Sequence, residues 1–108
     1  MMSSDIRKQI VASLKSIEPS EVILFGSYAY GVPDDESDID LVVVLDTDGF
    51  LSFSDRISKK IEILKALDTL DKPVDLLLYT KSEWADLIDK NSSFIRDINQ
   101  KGVVLEAA

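Results

Sequence analysis

The chain has 108 residues, 45% hydrophobic and 30% charged, which suits one modest core and predicts a single domain over residues 1–108. The absence of cysteine and histidine excludes disulfides, thiolate or imidazole metal sites, cysteine nucleophiles and histidine-based triads, leaving carboxylates, hydroxyls, lysines or an oxygen-ligated metal for any catalysis. Twelve Lys and Arg against twenty Asp and Glu argue against direct binding of nucleic acid, and the lack of a signal core or an apolar run of roughly 20 residues predicts a soluble cytoplasmic protein without a membrane span.

Ile6, Ile10, Leu14 and Ile17 recur at helical spacing, so a helix is expected over residues 5–17, stopped by Glu18-Pro19. Val22-Ile23-Leu24-Phe25 is short and apolar enough for a buried strand closed by Gly26, and residues 26–37 read as a loop with one helical turn. Residues 38–45 form a second strand, covered on both faces in its apolar second half. Ser54 is expected to cap a helix over 55–70, with Ile57, Ile61, Leu64 and Leu67 facing the core and Lys59, Lys60 and Glu62 outside. Asp71-Lys72-Pro73 breaks that helix before a third strand at 74–79. Thr80-x-x-Glu83 matches a capping box opening a helix over 81–90. Ser93 is expected to cap one more helix, closed by Gly102 before a short apolar stretch, Val103-Val104-Leu105. The order predicts an α/β or α+β fold, a sheet covered by helices on at least one face.

Charge is unevenly placed. Between Lys15 and Arg56 the chain has ten carboxylates and no Lys or Arg. Asp34, Asp35, Glu36, Asp46 and Asp48 read as solvated loop residues. Asp38 and Asp40 differ, because they lead into an apolar strand and, two residues apart, project to one side of it. Two carboxylates so close repel each other unless a hard divalent cation such as Mg²⁺ lies between them. Asp75 interrupts the third strand, where a buried carboxylate is costly unless paired or metal-bound. If the third strand neighbours the second, the three carboxylates can hold two metal ions and accept a proton, as in-line phosphoryl or nucleotidyl displacement requires. Gly26-Ser27 adds a turn whose backbone N–H groups and hydroxyl suit a phosphate. No G-K-[ST] follows, so this is not a P-loop.

The spacing G-S-x10-D-x-D, in FGSYAYGVPDDESDIDLVVV, resembles the signature of the DNA polymerase β-like nucleotidyltransferase superfamily, and more narrowly the minimal nucleotidyltransferase (MNT) group. The resemblance covers roughly residues 5–105, with VDLLLY matching the strand that supplies the third carboxylate. It implies a mixed sheet, ATP or another nucleoside triphosphate as donor, and Mg²⁺. It further implies that Gly26 and Ser27 hold the triphosphate, that Asp38 and Asp40 ligate metal, and that Asp75 ligates metal or acts as the base. Many relatives read G-S-x-A-R-G; here Tyr30 stands at the arginine position, removing one positive contact. In relatives of this size the partner is often a HEPN protein, a helical ribonuclease toxin, and the nucleotidyltransferase acts as antitoxin by transferring AMP to a tyrosine. Two other readings stay open: the catalytic subunit of a two-protein enzyme acting on a small molecule, and a non-catalytic antitoxin that works by occlusion. Homo-oligomerisation is also left open.

Several residues have plainer readings. Tyr28 and Tyr30 suit stacking on a base, but aromatics beside a turn more often pack beneath it. Phe50 and Phe53 read as a hydrophobic staple onto the following helix before they read as an acceptor pocket. Trp84 suits core or interface equally, and Lys59 and Lys60 read as a solvated face before a phosphate contact. The chain ends soon after the core, so an acceptor site is expected on a partner protein.

Overall fold

Strands rich in Val, Ile and Leu need a cover on each apolar face, and here two layers of helix supply it. The computed structural model describes residues 4–31, 37–90 and 92–107. In chain order these form α1 (Ser4–Ser13), a 3-10 turn (Lys15–Ile17), β1 (Pro19–Phe25), α2 (Ser27–Tyr30), β2 (Ile39–Leu45) and α3 (Phe53–Ala66). A second 3-10 turn (Asp68–Leu70), β3 (Val74–Thr80), α4 (Lys81–Asp89), α5 (Ser93–Lys101) and β4 (Val103–Ala107) follow. The four strands lie in the order β3-β2-β1-β4. β1 is antiparallel to both β2 and β4, whereas β2 and β3, joined through α3, run parallel. The sheet is therefore mixed and the architecture α+β.

Alternation along the strands divides the core in two. On one face Val22, Leu24, Leu41, Val43, Leu76 and Leu78 pack with Ile10 of α1 and Leu14 just after it, and with Ile63 of α3 and its C-cap Leu67. On the other, Ile23, Phe25, Val42 and Val44 pack with Trp84 of α4 and with Ile95 and Ile98 of α5. Trp84 is thus a core residue, stacked on Tyr79 with ring centroids 5.7 Å apart. Among the described residues no helix is long and apolar enough to cross a membrane.

Several local expectations need correction. The first helix ends at Ser13 and continues only as a 3-10 turn. Glu18 takes a left-handed conformation (φ 52°), and β1 begins at once at Pro19 rather than Val22, since proline is tolerated as the first residue of a strand. The third helix is capped by Ser52, not Ser54: the Ser52 hydroxyl accepts from the Asp55 N–H at 3.0 Å. The last helix starts at Ser93 itself, with Ser92 before it. Gly102 does close that helix, but in an extended conformation (φ −64°). Glycine is needed there for space, because a Cβ would meet Ile23 Cγ2 and the Ile98 carbonyl oxygen at 2.5 Å each.

The larger correction concerns the face of α3 that turns inward. Ile57, Ile61 and Leu64 are exposed, as is Phe53 at 82%, while Ile63 and Leu67 are buried. Arg56 explains this rotation, since it shares the inward face with Ile63 and Leu67 at i+7 and i+11. Its guanidinium donates to the Leu78 carbonyl at 2.7 Å and to both carboxylate oxygens of buried Glu83, with which it forms an ion pair. Anchoring Arg56 to β3 and α4 turns the stripe Phe53, Ile57, Ile61, Leu64 to solvent. Phe50, at 70% exposure, likewise forms no staple; Leu51 packs against the core instead.

Candidate active site

β1 delivers the chain to Gly26, which has φ 74° and ψ −153°, a conformation that L side chains rarely adopt. Space demands glycine as well. A Cβ at this position would lie 2.1 Å from Asp40 Oδ2 and 3.0 Å from its Cγ, so backbone and carboxylate meet where a side chain would stand. From Gly26 the chain enters the short turn of α2. There the Ala29 N–H donates to the Gly26 carbonyl at 3.0 Å and the Gly31 N–H to the Ser27 carbonyl at 3.1 Å. Tyr28 packs into the core beneath this turn, the plainer of its two readings. The side chain of Tyr30 and the acidic residues Asp34, Asp35 and Glu36 lie outside the described part of the chain.

In β2, Asp40 stands opposite Phe25 of β1 and, in parallel register, opposite Asp75 of β3. The register begins at the mouth of the site, where the Ile39 N–H donates to the Pro73 carbonyl at 2.9 Å. Because Val42 and Val44 pack on the α4 and α5 side together with Leu77 and Tyr79, Asp40 and Asp75 share that face by alternation. Asp38 is exposed just before β2, Asp75 is exposed, and Asp40 is half-buried. Burial pushes the Asp40 carboxyl above its ordinary value, and the negative charges of Asp75 and then Asp38 push it further. The structure thus brings Asp38, Asp40, Asp75 and Gly26 to one end of the sheet, with Ser27 next in the chain.

Three oxygen donors that repel one another suit a hard divalent cation. The carboxylates are near enough to disturb Asp40, but among the described residues no three converge into a formed metal cage. Their chemistry, that of hard carboxylate oxygens, fits Mg²⁺. Lys59 adds no charge here: it pairs with Glu62 at 3.3 Å and lies beside Leu45 and Asp46, roughly 17 Å along β2 from Asp40 at strand rise.

Gly26→Ala provides a sharp check on this packing. The added methyl group faces both a left-handed backbone and Asp40 Oδ2, so we expect a loss of about 1–2 kcal/mol in stability and a displaced Asp40. Thermal denaturation with ¹H–¹⁵N spectra would show it; an unchanged melting temperature and an unperturbed Asp40 signal would contradict the close approach.

Two features escaped sequence reasoning. Phe94, 56% exposed, stands edge-on to Phe25 with ring centroids 6.3 Å apart, which places an open aromatic beside the residue that precedes Gly26. A phenylalanine two residues after a helix-capping serine carries no signal for this. The other is the anchoring of the segment after β2. The Leu51 N–H donates to Glu83 Oε2 at 3.0 Å, the Gly49 N–H to Ser82 Oγ at 2.9 Å and the Lys81 N–H to the Thr47 carbonyl at 3.1 Å. Glu83 was legible as a capping-box residue, and the box is present, but its pairing with Arg56 was not.

Two solved structures are similar to this chain in fold. One is a toxin–antitoxin with AMP-PNP, 24% identical with a TM-score of 0.62, the alignment covering 94% of this chain and 73% of that one. The other is a toxin–antitoxin MntA-HpeT mutant, 23% identical with a TM-score of 0.60 and the same coverage. No curated protein matches the chain. The description "Nucleotidyltransferase domain" belongs to a family model matching residues 7–105. That span holds the Gly26-Ser27 turn, both aspartate-bearing strands and all but the ends of the mixed sheet, a plan consistent with a polymerase β-like core, and the chain therefore belongs to the nucleotidyltransferase domain family.

Proposed function

We propose that the protein transfers AMP from ATP to a hydroxyl, that of a tyrosine, on a partner HEPN toxin in the cytoplasm, and so acts as an antitoxin. The observation that carries this reading is the contact of Gly26 with Asp40 directly opposite Asp75, in a chain of nucleotidyltransferase family. Its similarity in fold to a toxin–antitoxin structure with AMP-PNP supports the choice of an adenine nucleotide and a toxin partner. The acidic balance of the chain accords with a protein rather than a nucleic-acid acceptor.

In this reading the backbone at Gly26 and the Ser27 hydroxyl hold the triphosphate, and Asp38, Asp40 and Asp75 are the catalytic carboxylates and the ligands for Mg²⁺, two ions in all. When bound, the metal neutralises developing phosphate charge and favours the hydroxyl's attack. The acceptor oxygen attacks the α-phosphorus, the bond from that phosphorus to the bridging oxygen breaks, and pyrophosphate leaves. Asp75, exposed at the mouth, either takes the acceptor proton or completes the metal site. Phe94 offers the open aromatic on which the base can stack. The solvent-facing stripe of Phe53, Ile57, Ile61 and Leu64 is a surface of the kind that marks protein contacts, and holding the acceptor in line can be worth several kcal/mol.

Alone with ATP and Mg²⁺ the chain is expected to turn over little. Adding the proposed HEPN partner should give a metal-dependent mass increment of one or more AMP units on that protein, read by intact mass spectrometry, and Asp75→Asn should suppress it. Tight association and silencing without any increment would establish occlusion instead. Nucleotidyl transfer to a small molecule in the presence of both proteins would establish the two-protein enzyme.

A further inference from the structure

At the opposite edge of the sheet from β3, helix α1 and strand β4 border a groove of about 620 Å³. Arg7, Lys8 and Lys15 line it together with Val11 of α1 and three consecutive residues of β4, Val103 to Leu105. Consecutive strand residues point to alternate faces, so a groove lined by all three meets β4 edge-on. Among the described residues that edge has no strand partner: β4 is the last strand of the sheet and pairs with β1 alone. Val104 is 51% exposed there.

The cations of the groove are unspent. Among the described residues none of Arg7, Lys8 and Lys15 takes part in an ion pair, and Arg7 Nε is buried without a hydrogen-bond partner. A buried donor left unpaired is costly unless a ligand satisfies it. A groove lined by three cations also contrasts with a chain of net charge -8, so an acidic ligand is repelled by most of the surface and attracted here.

We propose that this groove takes up an extended acidic segment of a partner protein as a fifth strand, its backbone pairing with the outer edge of β4. Aliphatic side chains of the segment lie beside Val104 on one face of the extended sheet, and its carboxylates, alternating to the α1 face, meet Arg7, Lys8 and Lys15. Main-chain pairing supplies affinity and the alternate side chains supply selectivity, as in other strand additions. A free phosphate or nucleotide would use the cations but neither the apolar floor nor the strand edge. The inference is independent of the carboxylate site.

The probe is a capped seven-residue peptide alternating valine and glutamate, followed by fluorescence anisotropy and by ¹H–¹⁵N spectra of the intact chain. Binding should shift the amides of Val103 to Leu105. A peptide with lysine for glutamate, and one with a central proline, should each bind at least about tenfold more weakly, as should the Arg7→Glu/Lys15→Glu variant. Lys8→Glu, at an exposed position, gives the same sign with less risk to the fold, and both variants should keep wild-type ATP affinity in Mn²⁺. Equal binding of the lysine or proline peptide would overturn the proposal. So would no binding at millimolar peptide, or displacement by pyrophosphate with amide shifts confined to α1, which would mark a small-anion site.

Discussion

Asp40→Asn is expected to abolish metal-supported AMP transfer while leaving the metal-free protein at least as stable as the wild type. Asp40 lies against Gly26 and opposite Asp75, so in the proposed mechanism its loss removes a metal ligand. A fall of roughly three orders of magnitude, about 4 kcal/mol of activation free energy, is the expected scale. The stability effect has the opposite sign to that of most buried substitutions. Burial, Asp75 and Asp38 together raise the Asp40 carboxyl above its ordinary value, so its favourable protonated form is lost as pH rises through the folded-state value. At neutral pH the charged group therefore destabilises the metal-free fold, and the nearly isosteric amide removes that charge. Thermal unfolding in EDTA should show the variant equal to or above wild type. Mg²⁺ with ATP should stabilise only the wild type through linkage. A variant that melts well below wild type in EDTA, or that keeps its activity, would refute the assignment.

Glu83→Ala should be strongly destabilising, costing about 3 kcal/mol. Glu83 is 5% exposed and accepts from Arg56, from the Thr80 N–H at 2.9 Å and from the Leu51 N–H at 3.0 Å. Truncation strands a half-buried guanidinium and two backbone donors, and breaking such a pair from one side costs more than the pair contributes intact. The same lock predicts acid lability. The Arg56 hydrogen bond, with those of Thr80 and Leu51, holds the Glu83 carboxyl below its ordinary value despite burial. Its contribution is complete above the unfolded-state value, near 4.5, and is lost as pH falls through the folded-state value. Stability measured against pH should therefore decline below about pH 4.5 in the wild type and less steeply in Glu83→Gln. Parallel acid curves for the two proteins would show that the ion pair contributes nothing.

Placed side by side, these residues show what could be read from one dimension. Elements were legible wherever a local signal was strong: the helical spacing of Ile10 and Leu14, the β-branched run of β2, and the Thr80-x-x-Glu83 box that opens α4. The candidate site was legible for a related reason. Gly26-Ser27 sits at the end of one strand and Asp38-x-Asp40 at the start of the next, so an antiparallel hairpin alone brings Asp40 beside Phe25 and Gly26. Asp75 stood out because a carboxylate interrupting an apolar strand needs a reason.

Pairing across distance was another matter. That β3 lies next to β2, parallel and in the register that sets Asp75 opposite Asp40, depends on a crossover through α3 that no local pattern encodes. Periodicity predicted an apolar stripe on α3 at Ile57, Ile61 and Leu64, and the stripe exists, but periodicity is blind to which way a helix is turned about its axis. The ion pair of Arg56 with Glu83, 27 residues apart in the chain, made that choice and left the stripe in water. That, among the described residues, β4 keeps an edge without a strand partner is likewise a product of strand order. The sequence by itself determined the elements and the chemistry of the carboxylates, because spacing and side-chain type act locally. Only the tertiary structure decided registers, helix orientation and open edges, because buried charge and strand pairing join residues that are distant in the chain.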